Sequence, residues 1–317
     1  MNILVTGGGG FQGSHIVEAL LSRGHFVRVL TTPSLLSQGN LSSIINNPNL
    51  QLIWGSVTDN ESVSKSVTDC DVIIHLAAHI NVDESIRKPE DHVLVNVIGT
   101  LHLLKAAHEQ KARMIYGSSC EVYGTDDVES ISENHILNPR SPYAASKAAA
   151  DRLVQSFHLT YGLDTTIVRP FNIFGPRQKS RRQGGAVIPT FVELIHSGQS
   201  PRIFGSGKQM RDYLYVDDIV QGYMLVLETS SLNGDVINFG SGEGVSILTL
   251  TDDIISSMKS DLKPVFEKPR PGEVNRFVAD TRKASALGFK PKISFKEGIN
   301  RYVDWFTRNH ANQEAKA

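Results

Sequence analysis

The chain reads as an α/β protein: a doubly wound parallel sheet followed by a smaller, loop-rich C-terminal part. Three observations predict this. Short β-branched runs alternate with helical stretches through the first 170 residues. A glycine cluster stands where the first run meets the first helix. After Arg169-Pro170 the alternation gives way to turn sequences, namely Gly175-Pro176, Gly184-Gly185, Gly205-Ser206-Gly207 and Pro269-Arg270-Pro271-Gly272. Strands separated by helices need crossover connections, which are right-handed and cover both faces of a parallel sheet.

Each element follows from local pattern. Residues 3–5 form a buried strand, and residues 14–23 a helix with Ile16, Val17, Leu20 and Leu21 on one face. Gly24 stops that helix, and residues 26–30 form the second strand. The strand signal returns at 51–54, 72–76, 113–116 and 165–168. The last residues, from Asn309 onward, are polar and expected to fray.

Composition narrows the class. A length of 317 residues predicts about two domains. Hydrophobic residues at 40% and charged residues at 21% are those of a globular chain. Lys+Arg 32 against Asp+Glu 33 leaves no basic excess for phosphate neutralisation, so no nucleic-acid partner is expected. Two cysteines, Cys70 and Cys120, make neither a disulfide framework nor a Cys-rich zinc site. No apolar stretch reaches membrane-spanning length, and Met1–Val5 is no signal peptide. The expectation is a cytoplasmic protein with no membrane partner. Eleven histidines include no His-Glu-x-x-His pattern, so no metal is expected.

The first turn carries the cofactor signal. Gly7, Gly10 and Gly13, with Phe11 and Gln12 between them, follow a strand and open a helix. Gly7 permits the tight turn, Gly10 lets a pyrophosphate approach the backbone, and Gly13 allows close helix–sheet packing. The helix N-terminus adds free N–H groups and partial positive charge. The pattern predicts a Rossmann-like, dinucleotide-binding unit. At the end of the second strand Thr31 replaces the usual ribose-binding acid. A threonine bonds a ribose hydroxyl without repelling a 2′-phosphate, and no adjacent arginine attracts one. NAD is the expected cofactor, with NADP left open.

Two further segments suggest chemistry. Tyr143 and Lys147 are four apart at the start of a helical stretch, hence on one face. A nearby ammonium favours a phenolate that would otherwise form only near pH 10. Gly117-Ser118-Ser119-Cys120-Glu121-Val122-Tyr123-Gly124 follows a strand, at the carboxyl edge where α/β sheets bind ligands.

With these pieces the chain resembles an extended short-chain dehydrogenase/reductase of the nucleotide-sugar epimerase/dehydratase kind. The matching segments are residues 6–13, His75-Leu76-Ala77-Ala78, residues 118–124, the Tyr143/Lys147 pair, Arg169-Pro170-Phe171-Asn172, Arg211-Asp212-Tyr213 with Val216-Asp217-Asp218, and Arg270-Pro271-Gly272. They keep family order along nearly the whole chain. The resemblance implies that residues 1–170, with a return at about 212–240, bind NAD. Residues 171–211 and 241–317 would bind the nucleotide sugar. It implies that Ser119 bonds the sugar 4-hydroxyl, Tyr143 removes its proton, and Lys147 lowers the tyrosine pKa and holds the nicotinamide ribose. Asn172, Arg211 and Arg270 would hold the nucleotide diphosphate, by forked bonds where arginine is used.

Cofactor contacts are further expected at Thr31, Ser56, Val57, Leu76, Ala77, Ala78 and Asn96. Ser56 stands where the family often has an Asp that meets the adenine. Substrate contacts are expected at His79, Val187 and Phe204, the last stacking on the base. A basic loop with Arg177, Lys179, Arg181 and Arg182 reads as a solvated face or a lid. The family also implies a homodimer through the helix around 95–108 and the one beginning at Tyr143.

The reaction turns on Cys120 and Glu121. Many 4,6-dehydratases carry Asp-Glu at these positions, and here Cys replaces Asp. Once carbon 4 is a ketone, a carboxylate can remove the acidified carbon-5 proton, and a donor must protonate the departing 6-hydroxyl. Glu121 is the expected base and Cys120 the expected donor, with a buried space-filler as the alternative for Cys120. The Ser-Cys-Glu triplet resembles UDP-N-acetylglucosamine 5,6-dehydratases of the tunicamycin pathway. Gly175-Pro176-Arg177-Gln178 resembles UDP-N-acetylglucosamine 4,6-dehydratases. The expected function is dehydration of a UDP-hexosamine, with 4-epimerisation or UDP-glucuronate decarboxylation as alternatives.

Overall fold

The computed structural model describes residues 1–124, 128–178, 180, 186–269 and 275–314. A seven-stranded sheet forms its centre: β1 (Asn2–Thr6), β2 (Phe26–Thr31), β3 (Leu50–Trp54), β4 (Val72–His75), β5 (Arg113–Gly117), β6 (Thr165–Pro170) and β7 (Asp235–Phe239). All pairings are parallel, in the order β7-β6-β5-β4-β1-β2-β3. The order reverses between β1 and β4, which opens a crevice beyond their carboxyl ends.

Side-chain alternation explains why both faces are covered. Val5, Ile74, Ile115, Val168 and Ile237 pack with Ile16, Val17 and Leu20 of α1 (Phe11–Ser22). Their sheet neighbours Leu4, Ile73, Met114, Tyr116 and Ile167 face the other way. There they meet Leu103 and Leu104 of α2 (Gly99–Gln110) and Ala150 and Val154 of α3 (Pro142–Tyr161). Tyr223 of α4 (Val216–Glu228) packs into the same cluster and closes the first side.

The strands extend one or two residues beyond the expected windows, except β4, which ends one residue short at His75, and α1 begins at Phe11 rather than at residue 14. Gly10 is already extended (φ −76°, ψ −178°) and serves as the N-cap, so Gly13 enters the first turn. Of the residues from Asn309 expected to fray, 315–317 lie outside the described residues and 309–314 continue the terminal helix α5 (Phe295–Glu314). Its Ile299, Tyr302, Val303 and Phe306 are anchored in the same core as β1 and β7. A π-helical turn, Leu94–Ile98, leads into α2.

Candidate active site

The glycine loop between β1 and α1 has no room for side chains. Gly7 holds φ +71°, and a Cβ there would meet the Ala77 amide nitrogen at 2.8 Å. A Cβ on Gly13 would run into the Gly7 carbonyl and the Gly8 Cα. No side chain caps α1, so the amides of Phe11, Gln12 and Gly13 are those that a helix leaves without an internal partner. The loop after β4 lies alongside: Leu76 N–H donates to the Thr6 carbonyl (3.1 Å) and Ala77 N–H to Thr6 Oγ1 (3.3 Å). A diphosphate of a dinucleotide fits this bare backbone cradle.

Thr31 ends β2 as a buried residue, with its Oγ1 3.1 Å from where a Gly9 Cβ would stand. Asn40, which the sequence reading passed over, donates to the Gly9 carbonyl at 3.1 Å and braces the loop from outside. Ser56 Oγ accepts from Thr58 N–H (3.2 Å) and bonds Thr58 Oγ1 (2.8 Å), so it shapes its own turn. Val57 is buried beside Gly99 at the start of α2.

Asn96 is 1% exposed. Its side chain accepts from His79 N–H (2.8 Å) and donates to the His79 carbonyl (2.9 Å) and to Ser146 Oγ (2.8 Å). The amide is therefore committed to protein partners. It ties the Ala77–His79 loop to α3. Asn172 is likewise engaged, donating to the Asp212 carbonyl at 2.8 Å.

Ser119, Tyr143 and Lys147 come together at the carboxyl end of β5. Ser119 caps a 3-10 turn, Cys120–Tyr123, by accepting from Glu121 N–H (3.2 Å), and it also hydrogen-bonds the Tyr143 side chain. Ser141 caps α3 and starts the helix one residue before Pro142, which points Tyr143 inward from the first turn. Burial pushes the Tyr143 phenol well up; the Ser119 bond works against this and the Glu121 charge adds to it. Lys147 donates to the Gly117 carbonyl (2.7 Å) and lies over the Tyr116 ring, 4.4 Å from its centre. Burial lowers its pKa to about 7, and Asp151 opposes that shift.

Glu121 and Cys120 part company. Glu121 is open to solvent, yet protein surrounds it on most sides, as for a side chain on the floor of a cleft. Its carboxyl is raised by desolvation, with the positive charge of Arg211 acting against the rise. Cys120 is 3% exposed and packs with Val122, Tyr123, Phe171 and Phe277. Burial raises its thiol far above the usual range, against a backbone hydrogen bond from Asn172. These are the surroundings of a small core residue.

Of the remaining expected residues, His79 is exposed at the loop after β4. Val187 begins the helix Val187–His196, and Phe204 ends the strand Arg202–Phe204, half-buried. Arg270, Lys179, Arg181 and Arg182 lie outside the described residues. Among the described residues no group of His, Cys, Asp and Glu is placed to hold a metal ion. None of their helices is long and apolar enough to cross a membrane.

A glycine cradle at the switch point of a parallel sheet, facing a Ser–Tyr–Lys set, defines an extended short-chain dehydrogenase/reductase. Residues 4–302 match the GDP-mannose 4,6 dehydratase family model. Human dTDP-D-glucose 4,6-dehydratase is 32% identical over 323 residues, which cover 98% of this chain and 91% of the human protein. The solved structure of UDP-glucose 4-epimerase from Thermotoga maritima, with UDP-glucose, superposes with a TM-score of 0.91 at 34% identity, covering 98% of this chain and 100% of that one. The dTDP-glucose 4,6-dehydratase DesIV from Streptomyces venezuelae, with NAD bound, gives a TM-score of 0.90 at 33% identity and 98% coverage of both chains. This chain belongs to the extended short-chain dehydrogenase/reductase family of nucleotide-sugar dehydratases and epimerases.

Proposed function

We propose that the chain is an NAD-using nucleotide-sugar dehydratase acting on a UDP-hexosamine of the UDP-N-acetylglucosamine type. The observation that carries this reading is the Glu121 carboxyl, exposed yet surrounded by protein on most sides, beside the core residue Cys120 and acting electrostatically on Tyr143. An epimerase that only oxidises and re-reduces carbon 4 has no use for a carboxylate there.

Bound NAD would supply the hydride acceptor and donor, held at the glycine cradle by the amides of residues 11–13. Tyr143 takes the proton of the sugar 4-hydroxyl while Ser119 bonds the same oxygen. Burial keeps the phenol protonated, with the Ser119 bond acting against it, and Lys147, one turn along the same helix, would be the cation that favours the phenolate during turnover. Glu121, whose pKa is raised toward the working pH, removes the carbon-5 proton and, as the acid so formed, passes it to the departing 6-hydroxyl, which leaves as water. Arg211 stands by that carboxylate and limits the rise.

A second reading, 4-epimerisation, draws on Cys120. A thiol packed in the core and held protonated is a poor donor to a departing 6-hydroxyl. Glu121→Gln separates the two. Under the dehydratase reading, loss of the base slows turnover by about 10²- to 10⁴-fold. Turnover that survives this substitution favours the epimerase. The homodimer is also a proposal, supported by exposed Leu159 and Tyr161 on α3 and exposed Val93 and Leu94 just before α2. Sedimentation at micromolar protein tests it.

A further inference from the structure

We propose that Asp151 is a positioning residue for Lys147: a buried carboxylate that keeps the lysine ammonium charged and fixes the turn to which that ammonium is bonded. The placement begins in the sequence. Asp151 follows Lys147 by four residues on α3, so both side chains leave the same helix face. Asp151 is 0% exposed. Its Oδ2 accepts from Ser118 Oγ (2.7 Å) and from Arg169 Nε (2.9 Å), and its Oδ1 accepts from Arg169 Nη2 (2.9 Å) and from Arg152. Lys147 donates to the carbonyl of Gly117, the residue before Ser118. One carboxylate therefore joins α3, β6 and the end of β5 around the lysine.

Arg169 is held on its other side as well. Its Nη1 donates to the Tyr123 hydroxyl (2.8 Å), which donates to Asn238 Oδ1 (2.7 Å) on β7. An ion pair this dry gains little over apolar residues of the same size. Stability alone does not require its carboxylate to reach the turn that receives the lysine.

The other groups around Lys147 do not replace Asp151. From β5 comes the Tyr116 ring, and from β4 the buried His75, whose pKa is lowered to about 3, so it is neutral at working pH. Its two ring nitrogens are engaged by Thr6 Oγ1 (2.7 Å) and Thr100 Oγ1 (2.9 Å). Tyr143 on the same helix is a neutral phenol, and Arg152 and Arg169 are cations bound to Asp151 itself. Asp151 raises the lysine pKa against the pull of burial.

The consequence for turnover rests on the reading of Lys147 as the cation that supports Tyr143. The titration of Lys147 does not, so it is the primary test. In full-length protein labelled with carbon-13 lysine, the Lys147 side-chain resonance is followed with pH by NMR and assigned by its loss in Lys147→Arg. Asp151→Asn is expected to lower the midpoint by about one unit or more, and to draw in the alkaline limb of the turnover profile by the same amount. Should Asp151→Asn fail to fold, Asp151→Asn/Arg169→Met removes both charges and strands neither, and its midpoint is expected to fall likewise. An unmoved midpoint in either folded variant overturns the proposal. A shifted midpoint in a protein that turns over no nucleotide sugar would leave it standing and sink the functional reading.

Discussion

Gly13→Ala tests the cofactor cradle with a single methyl group. The added Cβ would lie 2.8 Å from Gly8 Cα and 3.0 Å from the Gly7 carbonyl carbon, with the Gly7 oxygen closer still. All of these are backbone atoms. Restoring an ordinary contact of about 3.4 Å to the nearest of them, the Gly7 oxygen, means moving the loop by about 1 Å away from the helix. Overpacking of this kind costs about 1–3 kcal/mol. The displaced atoms belong to the turn that presents the first-turn amides of α1, so most of the cost falls on dinucleotide binding. At 1.4 kcal/mol per tenfold, NAD affinity should fall by roughly 5- to 150-fold. Calorimetric titration of NAD into the purified variant measures this, with a thermal melt to confirm that the fold survives. Wild-type affinity in a folded Gly13→Ala protein would refute the assignment of this loop as the pyrophosphate cradle.

Other expectations follow from the same geometry. Tyr143→Phe removes the hydroxyl bonded to Ser119 and should reduce turnover by at least about 10²-fold, while nucleotide binding, followed by calorimetry, stays near wild type. Asp212 accepts from Ser241 N–H (2.7 Å), Ser241 Oγ (2.7 Å), Gly242 N–H (3.0 Å) and Ala279 N–H (3.1 Å). Asp212→Ala strands the buried Ala279 amide and removes the acceptor of three half-buried bonds, and should cost about 2 kcal/mol in urea unfolding; a loss under about 0.5 kcal/mol would contradict this reasoning. Lys147 titrates near 7 when folded and near 10.4 when unfolded. Between those values the unfolded chain binds the extra proton, so stability of the cofactor-free protein should rise with pH, by up to about 1.4 kcal/mol per unit from this group. The cost is fully present below pH 7, and urea midpoints that do not rise between pH 7 and 9 in wild type relative to Lys147→Met would argue against it.

Much of this was legible because it depends on local spacing. The glycine loop, the alternation of strands and helices, and the i, i+4 relation of Tyr143 and Lys147 are all short-range patterns, and each reappears in the structure as a placed element. What depended on long-range packing was not legible. β7 (Asp235–Phe239) is enclosed by turn residues such as Asn233-Gly234, so its strand character shows only once it pairs with β6. The bonds that Asn96 and Asn172 make to His79, Ser146 and Asp212 join segments 17 to 50 residues apart, which no local pattern shows.

The Cys120–Glu121 pair shows the limit most clearly. A 3-10 helix turns three residues per revolution, so neighbours point about 120° apart. Glu121 consequently opens to the cleft while Cys120 enters the core. Asp151 carried a detectable signal, its spacing from Lys147. Its partners Ser118 and Arg169 are 33 and 18 residues away, beyond the reach of periodicity.

In the proposed reaction Glu121 converts an oxidised nucleotide sugar by elimination. Its most direct test is the mass of the product formed from UDP-N-acetylglucosamine by the NAD-loaded protein. A product lighter by one water, absent with Glu121→Gln, is the predicted result. A product of unchanged mass and inverted configuration at carbon 4 would contradict it.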